Sequence, residues 1–306
     1  MPSTSTLLHR RGFLTAVAAL LAAPAMGAAA QPFFKRHALP IGIQLYTVGP
    51  DAAKDLDGTL KALSTMGYKS VESAGFYGKS AAQFRAALDA AGVICPSAHI
   101  QGRGGLDGDV AKLADDLKTI GVKTAIMPSP YIPDRLAGKG LRETLTQLTA
   151  DDYKMNADFL NAKAAGLKKA GIKVGYHNHN FEFAPLGSTT GLEVLLKNTD
   201  PALVTFEMDL GWVAAAGADP VAMLTKHKGR FSAVHIKDLK ASTKPNFALA
   251  MDPTEVGSGE LDWKKILATA YATGVRGYYV EQEAPFAFPR LESAKIDHDF
   301  LAKVVA

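Results

Sequence analysis

Nine side chains able to bind a metal or move a proton stand at the ends of short apolar runs: Glu72, His99, His177, His179, Asp209, His235, Lys237, Glu281 and Glu283. The densest group lies in KVGYHNHNFEF, Lys173 to Phe183. There Ile172, Val174 and Tyr176 make an extended apolar approach, and strand alternation predicts His177 and His179 on one side. FEMD then ends at Asp209, AVHIKD carries His235, and YYVE ends at Glu281, at steps of 32, 26 and 46 residues from His177 onward. Each step holds about one strand and one helix, since a βαβ unit takes roughly 30 residues or more. Two imidazoles and two carboxylates on neighbouring strands make a mixed nitrogen and oxygen site for one divalent cation. Such a set suits Mn, Fe, Co, Ni or Zn better than Ca or Mg. The expected ligands are His177, Asp209, His235 and Glu281.

The neighbouring residues divide by role. His179 could replace His177 as ligand, transfer protons beside it, or donate to it from behind. Glu182 could orient either imidazole or be a solvated loop charge. Lys237, two positions past His235, shares its strand face and is placed to neutralise a developing oxyanion. Asp238 points the other way, toward a helix. Glu72 and His99 are expected on the wall of a substrate site, and Trp212 against a sugar ring. Cys95 precedes its strand's end and reads as core.

The elements that must position these residues alternate regularly. Apolar runs at Ile41 to Val48, Tyr68 to Ala74, Val93 to Ile100, Val122 to Pro128, Lys173 onward, Val204 to Asp209, Phe231 to Asp238 and Gly277 to Glu283 read as strands. Between them run segments of helical spacing, such as Leu56, Leu60 and Leu63, or Val110, Leu113, Leu117 and Ile120. Ser80, Thr149, Asp219 before Pro220, and Asp262 are expected caps, and Gly92, Gly121 and Gly171 expected stops. Pro128 to Gly138 and Leu239 to Gly259 read as loops without period. Eight strands alternating with eight helices predict a parallel (β/α)8 TIM barrel of one domain over residues 31–306. A doubly wound sheet is disfavoured, because GPDAAKD after the first strand is no phosphate-binding turn.

Residues 1–30 read as a cleavable export segment. His9 to Leu14 resembles a twin-arginine signal through Arg10 and Arg11, the apolar run Phe13 to Ala23 is shorter than the ~20 residues that span a bilayer, and Ala28 to Ala30 offers a cleavage site. Its removal lowers the net charge from +4 to +2, because no acidic residue leaves with the two arginines. So balanced a charge offers no footprint for nucleic acid or an anionic membrane. One cysteine among 306 residues permits no intramolecular disulfide, so an exported, periplasmic chain must rely on its core. No stable membrane anchor is expected in the mature chain, and the reading leaves room for a homo-oligomer.

YHNHNFEF, FEMDLGW, AVHIKD, EVGSGELDW and YYVEQE together resemble the sugar phosphate isomerase/epimerase superfamily, the xylose isomerase-like barrels. The resemblance implies one divalent metal held at the ends of strands five to eight by Glu, Asp, His and Glu, the last three being Asp209, His235 and Glu281. Here His177 stands where many members have the first glutamate. The implied function is a metal-dependent isomerase or epimerase of a small carbohydrate. It would abstract a proton beside a chelated carbonyl, with Glu281 as base, His177 or His179 opposite, and Lys237 on the oxyanion. Elimination from 3-keto-glycosides is the alternative, since an imidazole in place of a carboxylate suits one-sided proton transfer. A non-catalytic sugar- or metal-binding envelope protein is the other class. The DNA-cleaving branch is disfavoured by the charge.

Overall fold

The computed structural model describes residues 30–306 together with Pro2, and its folded unit is Gln31–Ala306. The expected export segment otherwise lies outside the described residues. Among the described residues, no helix is long and apolar enough to cross a membrane.

Eight parallel strands close into a barrel: β1 (Gly42–Gln44), β2 (Ser70–Ser73), β3 (Ile94–His99), β4 (Thr124–Met127), β5 (Lys173–His177), β6 (Val204–Asp209), β7 (Phe231–Ile236) and β8 (Gly277–Val280). Each pairs with its neighbours in sequence, and β1 pairs with β8 to complete the ring. The outer helices are α1 (Leu56–Met66), α2 (Ala81–Ala91), α3 (Val110–Ile120), α4 (Ala150–Lys168), α5 (Gly191–Asn198), α6 (Pro220–Lys226), α7 (Trp263–Thr273) and α8 (Arg290–Leu301).

Local chemistry sets their ends. Ser80 and Thr149 each accept the backbone N–H three residues on, while Gln83 and Asp152 return a bond to the cap backbone. These capping boxes satisfy donors that the first turn leaves free. Gly92 and Gly121 close α2 and α3 at φ of 70° and 100°, a conformation that costs an ordinary residue about 1 kcal/mol or more. Leu60, Leu63, Leu117 and Leu167 are fully buried against the barrel, and each such burial contributes roughly 1.5–3 kcal/mol.

Three expectations change. The first strand is three residues long, because the chain turns at Leu45 and presents Tyr46 outward, 55% exposed. The stretch Pro128 to Gly138, expected as a loop, contains one short 3-10 helix, Asp134–Leu136, and a short α-helix, Leu141–Thr146, follows it. Leu239 to Gly259 is also partly ordered: Asp238–Leu239 pairs antiparallel with Pro253–Thr254.

Candidate metal centre

The register of β5 to β8 brings the C-terminal side chains together. His177 lies beside Glu207, Asp209 beside His235, and His235 beside Tyr279, two residues before Glu281. One ligand atom from each of His177, Asp209, His235 and Glu281 falls within 4.8 Å of the others, and all four residues are buried. A second group with the same spacing joins His99, His177, Glu207 and His235.

The two shared imidazoles face both ways. His235 sets Nδ1 2.9 Å from Glu281 and 3.8 Å from Asp209, while its Nε2 lies 2.7 Å from Glu72 and 3.0 Å from Glu207. His177 sets Nε2 3.9 Å from Asp209 and Nδ1 3.2 Å from Glu207. A cation on the Asp209 and Glu281 side leaves Glu72 and Glu207 holding the far nitrogens, the carboxylate–histidine–metal arrangement. Gln44 donates to Glu72 at 2.8 Å and the Ser97 hydroxyl donates to its other oxygen, which fixes that carboxylate in turn.

The donor set fits a divalent cation on chemical grounds. Glu72, Glu207, Asp209 and Glu281 are almost wholly removed from water, and buried charges must be paired or bound to metal. The Oδ2 of Asp209 has Lys237 Nζ as its ion-pair neighbour at 2.8 Å, and the Oε1 of Glu207 is buried without a donor. Protons meet the excess negative charge. Burial opposes a charge on His99, but Glu72 and Glu207 outweigh it and raise the ring to about 9. Burial acts likewise on His235, where Glu207 and Glu281 lift it well above the ordinary value. A bound cation displaces such protons, which couples affinity to pH.

Lys237 is fully buried, with Nζ within 2.9 Å of Asp209, Glu281 and Glu283. Burial would strip its proton, but those carboxylates hold it well above the usual lysine range. All three of its N–H donors therefore have anions to meet. Gly211 admits it: a Cβ there would lie 2.8 Å from both the Lys237 Cγ and its carbonyl oxygen.

His179 lies beyond the end of β5, its ring stacked on Phe181 at 5.4 Å and 5.8 Å from Trp212. Its Nδ1 is buried without a partner, and burial together with Lys237 lowers the ring to about 4, so it is neutral at pH 7. Glu182 is a buried clamp: it accepts the His179 backbone N–H at 2.8 Å and the Tyr176 hydroxyl at 2.7 Å. Burial raises its carboxyl to about 7 against those bonds.

A cavity of about 710 Å³ opens over this cluster and is lined by His99, His177, His179, Glu281 and Glu283 among others. Glu72 and Trp212, expected on its wall, lie beneath it. Glu72 is 0% exposed and consumed by histidines, while Trp212 is 2% exposed, packs with Ala215 and Leu239, and donates Nε1 to Glu283 at 3.2 Å. Asp238, expected to pair with a helix, accepts loop amides and the Trp263 indole at the start of α7. Cys95 is buried, and burial with the nearby Glu72 pushes its thiol up to about 12. The residue missed from the sequence is Glu207. Standing two before Asp209, it faces inward by the same alternation that pairs His235 with Lys237.

Comparison with known proteins follows the same outline. A family model described as xylose isomerase-like TIM barrel matches residues 60–304. The inosose dehydratase of Geobacillus kaustophilus (strain HTA426) is 25% identical over 276 residues, covering 81% of this chain and 87% of the relative. The rhizopine catabolism protein MocC of Rhizobium meliloti is 26% identical over 283 residues and 82% of each chain. A crystal structure of a sugar phosphate isomerase/epimerase from Parabacteroides distasonis ATCC 8503 superposes with a TM-score of 0.70 at 26% identity, over 86% of this chain and 94% of that one.

Proposed function

The chain belongs to the xylose isomerase-like TIM barrel family, as an enzyme of its sugar isomerase/epimerase-like group, and we propose that it is a metal-dependent carbohydrate lyase. In this reading it removes a proton next to a ketone and expels the substituent on the following carbon. The observation that carries it is the asymmetry of proton-handling groups. His179 lines the cavity and its ring makes no hydrogen bond or ion pair among the described residues, whereas Glu281 is engaged by His235 and Lys237 at 2.9 Å each. Burial opposes ionisation of Glu281, but Lys237 and His235 hold its carboxyl well below the usual range, so it stays a charged partner to both and suits holding a cation. One free base suits elimination; epimerisation asks for an acid and a base on opposite faces. A relative named for a dehydration supports the same choice.

His177, Asp209, His235 and Glu281 would hold the cation. When bound, a divalent cation supplies Lewis-acid polarisation of a carbonyl oxygen. His179 takes the proton from carbon, the carbon–oxygen bond at the next position breaks with its electron pair, and the departing oxygen recovers a proton from the imidazolium. Glu182 holds the His179 backbone in place. Isomerisation is the second reading, supported by the Parabacteroides distasonis structure named as an isomerase/epimerase.

Incubating the metal-loaded protein with a 3-keto-glycoside in D₂O separates the two. Release of the aglycone, lost in His179→Ala with metal content retained, supports elimination. Deuterium entering carbon without bond cleavage supports isomerisation, and the occurrence of neither would overturn both readings. Export through a twin-arginine signal at residues 1–30 belongs to the same proposal. N-terminal sequencing of the secreted protein tests it, and an intact Arg10 and Arg11 would count against it.

A further inference from the structure

We infer that the substrate is a neutral glycoside with a hydrophobic aglycone, which lies against an apolar wall facing the histidine and carboxylate floor. The inference rests on the lyase reading for the position of the sugar ring and adds the class of what is attached to it.

The cavity has two chemically distinct sides. Its floor is His99, His177, His179, Glu281 and Glu283. Its wall is Phe76, Ile100, Leu113, Pro128, Leu141 and Leu249. A volume of about 710 Å³ lies in the range that encloses ligands larger than one sugar ring. Leu141, 62% exposed, and Tyr46, 55% exposed, stand at this cavity, so apolar surface is held open to solvent beside it. Exposed apolar groups that line a cleft of this size mark a binding surface.

One part of the wall is held there by specific bonds. Leu249 adopts φ of +51°, a conformation rare for a branched side chain. Its N–H donates to Asn180 Oδ1 at 3.1 Å, and Asn180 Nδ2 donates to the Asn246 carbonyl at 3.0 Å. Asn180 is fully buried and directly follows His179. The segment that carries the candidate base therefore also sets an apolar side chain on the wall.

Charge excludes the obvious competitor, a phosphorylated sugar. Among the described residues lining the cavity there is no Lys or Arg, and two are glutamates. Lys237 nearby is committed to three carboxylates. Arg103 pairs with Asp134 at 2.9 Å, and Arg142 donates to the Leu249 carbonyl at 3.4 Å. A phosphate on the far side of the sugar from the metal ligands would find no free Lys or Arg side chain among the described lining residues to pair with.

Calorimetry on the metal-loaded protein with methyl β-D-glucoside, hexyl β-D-glucoside and glucose 6-phosphate tests the inference. Neither glucoside has a free carbonyl, so turnover plays no part in comparing the two, and the keto-glycoside assay can fail independently. Burying each CH₂ is worth about fourfold in affinity. Hexyl glucoside is expected to bind at least tenfold more tightly than methyl glucoside, and that ratio to fall below threefold in Leu141→Asp or Leu249→Asn. Leu141 is exposed and Asn tolerates the Leu249 conformation, so both variants should fold, which circular dichroism checks. Equal binding of the two glucosides, no binding of either, an undiminished ratio in both variants, or tighter binding of glucose 6-phosphate would each overturn the inference.

Discussion

Asp209 and Asp238 sit at the ends of adjacent strand segments, both buried, yet they meet burial in opposite ways. Asp238 is saturated by neutral donors. Its Oδ1 accepts the Leu239 and Leu261 N–H groups, and its Oδ2 accepts those of Gly257 and Gly259 and the Trp263 indole at 2.7 Å. Asp209 accepts one backbone bond, from Trp212 at 2.8 Å, through Oδ1, and turns Oδ2 toward Lys237, His177 and His235. A carboxylate that anchors a loop is surrounded by amides. One that can hold a cation keeps a lone pair among charged neighbours. The contrast also accounts for EVGSGELDW, whose glycines bring amides to Asp238 and which supplies scaffold, not ligands.

The contrast can be broken by substitution. His235→Ala should abolish bound metal and lower turnover by ~10³-fold or more, with the barrel still folded. Elemental analysis and rate measurements check this, and full metal occupancy would sink the assignment. Asp238→Ala should do the reverse. Losing five donors' acceptor should destabilise the fold by about 3–4 kcal/mol in urea titrations while the folded fraction keeps its metal. Glu207→Gln should weaken metal affinity about 10–100-fold by loosening His177 and His235. A competition titration against a chelator reads this, and no change would remove Glu207 from its supporting role.

A pH dependence concerns Asp297, buried on α8, where Oδ1 accepts the Val256 N–H at 2.7 Å and Oδ2 has no donor. Burial, with Glu255 nearby, overcomes that bond and raises its carboxyl from 3.8 to about 8. Across that window the unfolded chain releases a proton that the folded chain keeps, so stability falls as pH rises. Asp297→Asn should flatten this fall between pH 5 and 8 in denaturant titrations; an unaltered slope would show that another group causes it.

Much of the barrel was legible because its signals are local. Leu56, Leu60 and Leu63 mark a helix face by spacing, and the capping pairs Ser80 with Gln83 and Thr149 with Asp152 act within three residues. The ends of strands carry the side chains that gather over the barrel, and the order of His177, Asp209, His235 and Glu281 along the chain follows from strand and helix lengths. Glu207 was equally available to that logic, yet in FEMD it reads as an ordinary strand residue until Asp209 is given its face.

By itself the sequence determined the strand and helix alternation and which residues end the strands, because pleat and helical period are properties of neighbouring residues. Only the tertiary structure decided how each residue is used. Which nitrogen of His235 meets Glu72 depends on residues 163 apart in sequence. The three carboxylates around Lys237 come from two other strand ends. Leu249 reaches the cavity through an Asn180–Asn246 bridge across 66 residues. Such contacts join segments remote in the chain, and no local period encodes them.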